Sequence, residues 1–393
     1  MPTRTRTRLA TLTATAALLT AGTAGTTATA APKTPTPTPI QSHLDTLVSQ
    51  GATSALIQIR DNNRVALRDT SGTARLPGPA PVSPTGTFRT GSVTKSFTAT
   101  VLLQLVGEGR LTLDDRLSTH LPDTGLPHAD AITVRQLLNH TSGIFDYTQD
   151  PDVVDDFTDP AILARWLRTD RWRDWRPEDL VAQAADPANP PSFPPGTKWR
   201  YSNTNYILAG LLIEELTGHT YAEEITHRII RPLSLTGTSV PGSKTHMPKT
   251  PHAHSYVIPP GHHPTDITSQ NVTVSGAAGS LITTAQDLNR FYAALAEGRL
   301  LRPAQQRALT TFIDLGPKGG YALGLERAQL SCTTVFGHGG GIFGYATLAF
   351  TTPDATRQVT LSYTPTTLFP TIDQDRTAYE TLEAAFCPPD PTP

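Results

Sequence analysis

Apolar positions recur with period two near both ends of this chain and with period three to four between them. Ala55 to Arg60 and Arg64 to Asp69 read as two strands joined by the turn Asp61-Asn62-Asn63. Ahead of them, Gln41 to Ser49 has helical periodicity. A Pro/Gly/Ser-rich loop, Pro77 to Gly86, leads to a short strand over Phe88 to Gly91. The helix opened by Ser92 carries an apolar face of Phe97, Val101, Leu102, Leu105 and Val106, and Gly107 and Gly109 end it. From Leu113 to about His252 the pattern is helical and irregular. Ile132 to Leu138 reads as a helix with Thr133 as N-cap, and Tyr206 to Leu216 as a strongly apolar helix closed by Gly218. The tract Asp174 to Pro195, rich in Pro, Asp and Ala, reads as a mobile surface loop. Thr284 to Leu295 is another capped helix. Strands then return at Tyr321 to Leu325, Thr333 to Gly337, Tyr345 to Thr351 and Gln358 to Tyr363, before a final helix from about Thr371 to Ala385.

Strands at both ends with helices between them predict an α/β chain in which one sheet domain, 41–112 with 271–387, is interrupted by a helical domain, 113–270. Residues 388–393 form a tail, and no internal repeat is present.

Composition narrows the function classes. With 393 residues, 37% of them hydrophobic, the chain can bury a large core. A net charge of -2 provides no basic field, which argues against a nucleic-acid partner. Arg4, Arg6 and Arg8 followed by Leu9 to Ala24 and Ala28-Thr29-Ala30 read as a secretory signal over 1–30. A Thr/Pro linker over 31–40 follows it. The expected mature protein is secreted, holds no membrane segment and is monomeric. Its two cysteines, Cys332 and Cys387, are expected to form a disulfide in an exported protein. Neither lies in a nucleophile motif. The histidines His246, His252, His254, His262 and His263 lie in unpatterned, Pro-rich surroundings that read as a solvated loop, so no metal and no cofactor is expected.

Three short motifs carry the candidate chemistry. Ser92-Val93-Thr94-Lys95 is the one Ser-x-x-Lys in a chain with six lysines. Residues three apart on a helix share a face, so the Ser92 hydroxyl and the Lys95 amine point into one space. A lysine whose pKa is lowered by burial can take the serine proton. In Tyr201-Ser202-Asn203, residues i and i+2 of an extended loop project together, so the phenol and the amide face one cleft. There Tyr201 serves as base or acid, and Asn203 can hold a substrate carbonyl. In His338-Gly339-Gly340-Gly341, at the end of the Thr333 strand, glycines allow close backbone approach, and the N–H groups of Gly341 and Ser92 make an oxyanion hole. Taken singly, the second motif is an ordinary turn with a packed tyrosine and the third a glycine-rich turn. His140-Thr141-Ser142-Gly143 is read as structural, a helix C-cap, because adjacent residues seldom meet as nucleophile and base. Trp166, Trp172 and Trp175 either border the cleft or anchor the inserted loop. No Gly-x-Ser-x-Gly occurs, which argues against an α/β-hydrolase.

In this order the three motifs resemble the serine penicillin-recognising enzymes: class C β-lactamases, DD-peptidases and related esterases and D-amidases. Phe88-Arg-Thr-Gly-Ser-Val-Thr-Lys-Ser-Phe, Ile132-Thr-Val-Arg-Gln-Leu-Leu-Asn-His-Thr-Ser-Gly, Tyr201-Ser-Asn-Thr-Asn-Tyr and Leu330-Ser-Cys are similar to the secreted D-alanyl-D-alanine carboxypeptidase/transpeptidases of the group, over about Ser42 to Cys387. The resemblance implies a β-lactamase/transpeptidase-like fold, an antiparallel sheet flanked by helices with an inserted, mainly helical domain. It implies an acyl-enzyme at Ser92, with Lys95 and Tyr201 sharing the proton transfers. Asn203 would then orient the acyl side, and His338, Gly339 and Gly340 would line the substrate site, His338 lending polar or positive character. It also supports the Cys332–Cys387 bridge. The implied partners are small-molecule or peptide substrates, peptidoglycan stem peptides among them, and β-lactams as acylating inhibitors.

The chain departs from that carboxypeptidase pattern where a free C-terminal carboxylate would be bound. Two threonines of the pattern are Gly339 and Gly341 here, and an arginine aligns with Glu326. A tryptophan bordering the cleft aligns with Val274. A buried carboxylate needs donors or a cation, so a D-aminopeptidase, D-amidase or esterase is the alternative expectation. The rival from another class is a non-catalytic, penicillin-sequestering module that keeps the fold; intact Ser92, Lys95 and Tyr201 argue against it.

Overall fold

The computed structural model describes residues 38–388 apart from 155 and 260–262. The 1–30 signal, the linker up to residue 37 and all but the first residue of the tail lie outside the described residues.

Among the described residues twelve strands form in chain order: β1 Ala52–Asp61, β2 Arg64–Gly72, β3 Thr87–Arg89, β4 Tyr256–Val257, β5 Thr265–Asp266, β6 Ile282–Thr284, β7 Ile313–Asp314, β8 Gly320–Tyr321, β9 Glu326–Gln329, β10 Thr334–Ile342, β11 Tyr345–Thr351 and β12 Arg357–Pro365. Eight make the main sheet in the order β2-β1-β12-β11-β10-β9-β8-β7, and β3 with β6 and β4 with β5 make separate two-stranded ribbons. Every main-sheet pair is antiparallel. The β1–β2 hairpin closes through Asn62 and Asn63, both at positive φ (46° and 64°), where asparagine is tolerated better than most residues. Because β1 pairs with β12, the first and last strands lie side by side, and everything between β2 and β7 is inserted into one sheet.

Alternation along the central strands serves two layers. Ala55, Ile57, Val359, Leu361 and Tyr363 pack with Leu44, Leu47, Leu382 and Phe386 of the Pro39–Ser49 and Ile372–Phe386 helices. On the other face, Leu56, Phe336 and Ala349 join the cluster of Phe97 and Phe291, whose rings stack 3.8 Å apart. The same cluster takes in Leu137, Leu180, Tyr206 and Leu212 from the inserted segment. The Cys332–Cys387 disulfide forms and ties the β9–β10 turn to the end of the last helix.

Four local expectations need correction. The helix opened by Ser92 begins as a 3-10 turn, Gly91–Val93, and its α-helical part, Thr94–Gly107, is buried on nearly every side rather than amphipathic. Its polar side chains tolerate burial because each finds a partner: Ser96 Oγ donates to Gly324 O (2.7 Å) and Thr98 Oγ1 to Ala277 O (2.8 Å). The 174–195 loop contains a helix, Pro177–Ala185, that buries Leu180, Val181 and Ala184. Its proline sits at the first turn, where a missing N–H costs nothing and Glu178 and Asp179 favour the helix dipole. The Tyr321–Leu325 strand is cut short because Gly324, at φ 77°, turns the chain before β9. Finally, His338 to Gly341 is no terminal turn: β10 runs through all four residues.

Candidate active site

Ser92 sits on the 3-10 turn between β3 and the buried helix. Gly91 is at φ 56°, and a Cβ there would lie 2.6 Å from Gly341 O, so only glycine lets β10 reach this turn. The turn is pinned from behind. Thr94 Oγ1 donates to Gly91 O (2.8 Å) and accepts from Leu281 N–H (3.0 Å), while Thr90 N–H bonds Leu281 O (3.0 Å). One helical turn on, Lys95 is fully buried with Nζ 3.0 Å from Ser92 Oγ, 2.8 Å from Asn203 Oδ1 and 2.8 Å from Ala278 O. Burial takes the Lys95 ammonium down to about 7, against the opposing pull of Asp146 and Glu326. Asn203 Oδ1 and Ala278 O can only accept. In the neutral amine they take both N–H groups, which leaves the lone pair for the Ser92 hydroxyl.

Tyr201 and Asn203 do meet in this cleft, though Asn203 is in helical conformation (φ -67°, ψ -29°) at the cap of the Thr204–Thr217 helix, not in an extended loop. The Asn203 amide is already committed: Nδ2 donates to the Asp146 carboxylate (3.2 and 3.4 Å) while Oδ1 receives Lys95. The Tyr201 ring centroid is 4.8 Å from Lys95 Nζ, and its phenol lies in the same cleft as Ser92. Burial pushes that phenol well above its usual range, so it holds its proton at neutral pH. Behind it stands His140, its ring 4.3 Å from that of Tyr201.

Strand β10 forms the opposite wall. A Cβ on Gly340 would lie 2.0 Å from Thr90 O and 2.8 Å from Ser92 N, so this glycine sets how closely the strand approaches the serine turn. The Ser92 and Gly341 backbones thereby border one cleft, as an oxyanion hole requires. His338 is buried, with Nε2 2.9 Å from Tyr321 Oη and Nδ1 against Gly339 O (2.5 Å). Burial lowers its pKa despite Glu326, whose Oε1 is 3.3 Å from Nδ1, which favours the polar over the positive character expected of it. β9 pairs with β10 only up to Gly337, and beyond that point Glu326 Oε2 takes the Gly339 N–H (3.1 Å) in place of a strand.

All the candidate residues from the three motifs therefore converge: Ser92, Lys95, Tyr201, Asn203, His338, Gly339, Gly340 and Gly341. Together they can acylate and deacylate the serine. Sequence reasoning missed Asp146, Ala278, Tyr321 and the contact of His140 with Tyr201; the His140-Thr-Ser-Gly motif was the one signal for the last of these. Trp166 and Trp175 are buried around a cavity of about 330 Å³ with Val274 and Phe343, whereas Trp172 is exposed. Of the histidine set, His254 bonds Asp266 (2.7 Å), and His262 lies outside the described residues.

Comparison with known proteins fits this geometry. The family described as Beta-lactamase matches residues 40–386. Protein flp of Staphylococcus aureus (strain COL) is 30% identical over 208 residues, 51% of this chain but 38% of its own length. The chain thus spans about two fifths of that relative. Penicillin-binding protein 4* of Bacillus subtilis (strain 168) is 24% identical over 322 residues, 79% of this chain and 67% of that one. Among solved structures, a D-stereospecific amidohydrolase from Streptomyces sp. superposes with a TM-score of 0.78 at 38% identity, covering 88% of this chain and 98% of its own. The D-amino acid amidase of Ochrobactrum anthropi SV3 gives 0.73 at 25%, covering 88% and 99%.

Proposed function

The chain belongs to the β-lactamase family of serine hydrolases, and from that premise we propose that it cleaves amides of D-amino acids, with related peptides and esters, through an acyl-enzyme at Ser92. One observation carries the choice of amide over free-carboxylate peptide. The Glu326 carboxylate occupies the β10 edge at Gly339 N–H, and residues 339 and 341 bring no hydroxyl. A leaving D-alanine carboxylate would meet a like charge there and neither of the two hydroxyls of the carboxypeptidase pattern. The D preference draws on the 38% identical relative, a D-stereospecific amidohydrolase.

In the proposed cycle the neutral Lys95 amine takes the Ser92 proton as Oγ attacks the carbonyl, and the oxyanion lies at the Ser92 and Gly341 N–H groups. The C–N bond breaks as the Tyr201 phenol, resupplied by the Lys95 ammonium, protonates the departing nitrogen. Water then attacks the ester, gives its proton to Lys95, and Ser92 Oγ recovers one as it leaves. Export, read from the 1–30 segment, belongs to the same proposal, and cell fractionation tests it.

The deciding experiment is hydrolysis of D-alanine substrates matched except for the C-terminus, free carboxylate against amide, by the wild type and Ser92→Ala. The amide should be cleaved faster, and only by the wild type. A faster carboxylate substrate would restore the D-Ala-D-Ala carboxypeptidase reading; activity kept in Ser92→Ala would move the nucleophile elsewhere.

A further inference from the structure

Ser92 stands between two cavities. One, of about 300 Å³, is lined by Tyr147, Val154, Asn203, Val274, Phe343 and Phe369. The other, of about 340 Å³, is lined by Tyr201, Glu326, His338, Tyr363, Asp375 and Tyr379, with the Gly339–Gly341 edge as its floor. A tetrahedral carbon on Ser92 Oγ, its oxyanion in the backbone hole, has two substituents left, the acyl chain and the leaving nitrogen, and each takes one cavity. Tyr201 lines only the second. The group that protonates the departing nitrogen must be within hydrogen-bond reach of it, so the second cavity holds the leaving group. By reversal of the same step it also holds any amine that attacks the acyl-enzyme.

The charge of that cavity is one-sided. Glu326 and Asp375 line it, and no lysine or arginine does. His338 has both ring nitrogens engaged, by Tyr321 and Gly339, and its burial disfavours the charged ring. Tyr379 lines the same cavity as both carboxylates, so the three groups face one space. Glu326 Oε2 takes the Gly339 N–H and Oε1 lies 3.3 Å from His338 Nδ1, but with four lone pairs and a side chain 29% exposed the carboxylate can still accept a donor from solvent. Tyr363 and Tyr379 add ring faces that suit a cation.

We propose that this half of the cleft is a subsite for a cationic group, so that the chain favours leaving amines carrying a second, protonated amine and uses such diamines as acyl acceptors. The proposal rests on Ser92 being the acylated nucleophile. In the transfer step the neutral nitrogen of the diamine attacks the acyl carbonyl, the C–N bond forms and the C–Oγ bond breaks. The nitrogen's proton passes through Tyr201 and then Lys95 to Ser92 Oγ, while the distal ammonium stays by Glu326 and Asp375 and does not react.

Two measurements test this. In the first, D-phenylalanine amides bearing N-butyl, N-(4-aminobutyl) and N-(3-carboxypropyl) groups are compared by kcat/KM in the wild type, Glu326→Gln and Asp375→Asn. The aminobutyl amide should lead the butyl amide by about tenfold, the scale of one charge-assisted contact, with the carboxypropyl amide last. Both variants should pull the aminobutyl/butyl ratio toward one. A wild-type ratio near one, or a ratio that neither variant moves, overturns the subsite. In the second, p-nitrophenyl acetate acylates Ser92, and the partition of the acetyl group between water, butylamine and 1,4-diaminobutane is measured at pH 9. Preference for the diamine with no cleavage of D-amides would uphold the subsite and sink the D-amide reading. Cleavage of the amides with no diamine preference in either assay would do the reverse. Failure of every donor to acylate Ser92 overturns both.

Discussion

The His140 ring packs 4.3 Å from the Tyr201 ring, centroid to centroid, and its Nδ1 accepts from both Ser202 N–H (3.3 Å) and the Asn205 amide (3.1 Å). Two donors on one nitrogen leave the ring proton on Nε2. Burial first, then the charge of Lys95 and the neighbouring His338, keeps the imidazole neutral by lowering its pKa well below the usual range. His140 can hold this place because the chain turns at φ 63° just after the Val134–Leu138 helix. The segment that ends that helix thus fixes the backbone of Ser202 and the face of Tyr201 together.

His140→Leu is expected to strand the Ser202 N–H and the Asn205 amide without partners, at about 1–3 kcal/mol of stability. It should also let the phenol drift from Ser92. Turnover should fall by about tenfold or more, while KM for a small ester changes little. His140→Asn, which keeps an acceptor near the Nδ1 position, should recover part of both losses. Equal turnover in His140→Leu and wild type would reduce the residue to packing alone.

Lys95 makes acylation pH-dependent in a stated direction. With a pKa of about 7, the amine is protonated and idle as a base below that value. The acylation rate by a neutral ester should therefore climb about tenfold per pH unit below 7 and level off above it. The folded pKa lies below the ordinary lysine value of 10.5, so between about 7 and 10.5 the unfolded chain holds more protons, and this group's contribution to stability rises with pH across that window. A rate flat from pH 5 to 8 in stopped-flow measurements would remove Lys95 from the role of base.

The β10 glycines are not equivalent. Gly340→Ala puts a methyl 2.0 Å from Thr90 O and should push the strand off the serine turn, lowering kcat/KM by about a hundredfold through loss of an oxyanion donor. Gly341→Ala meets only Phe369 Cδ1 at 3.9 Å and should fold with near-native thermal stability. Thermal melts and ester kinetics on the two variants, run side by side, decide whether close approach is the reason for glycine at 340.

How much of this was legible beforehand depended on range along the chain. The Asn62-Asn63 hairpin and the helix capped by Thr133 are written in neighbouring residues, and both formed as read. The three site motifs could be joined through a family resemblance, and their convergence on Lys95 followed. Other features depend on pairings no local pattern encodes. Glu326 meets Gly339 only because β9 stops pairing with β10 at Gly337. The Pro177–Ala185 helix was hidden because proline punctuates loops and helix first turns alike. Ala278 binds Lys95 through a backbone carbonyl, which no side-chain motif can announce.

The Cys332–Cys387 bridge should matter for stability more than for chemistry. It closes a 55-residue separation between the β9–β10 turn and the last helix. Chain entropy alone gives a loop of that size about 4 kcal/mol. Cys332→Ser with Cys387→Ser should lower the unfolding free energy by about 2–4 kcal/mol. The acylation rate of Ser92 at 25 °C should be kept, because the sheet holding β10 is also secured by its β11 ladder from Phe336 to Ile342. Denaturant unfolding and burst-phase ester kinetics on the double variant separate the two effects. Unchanged stability would mean the bridge is dispensable to the fold, and a lost burst would mean the β9–β10 end reaches the site through the strand.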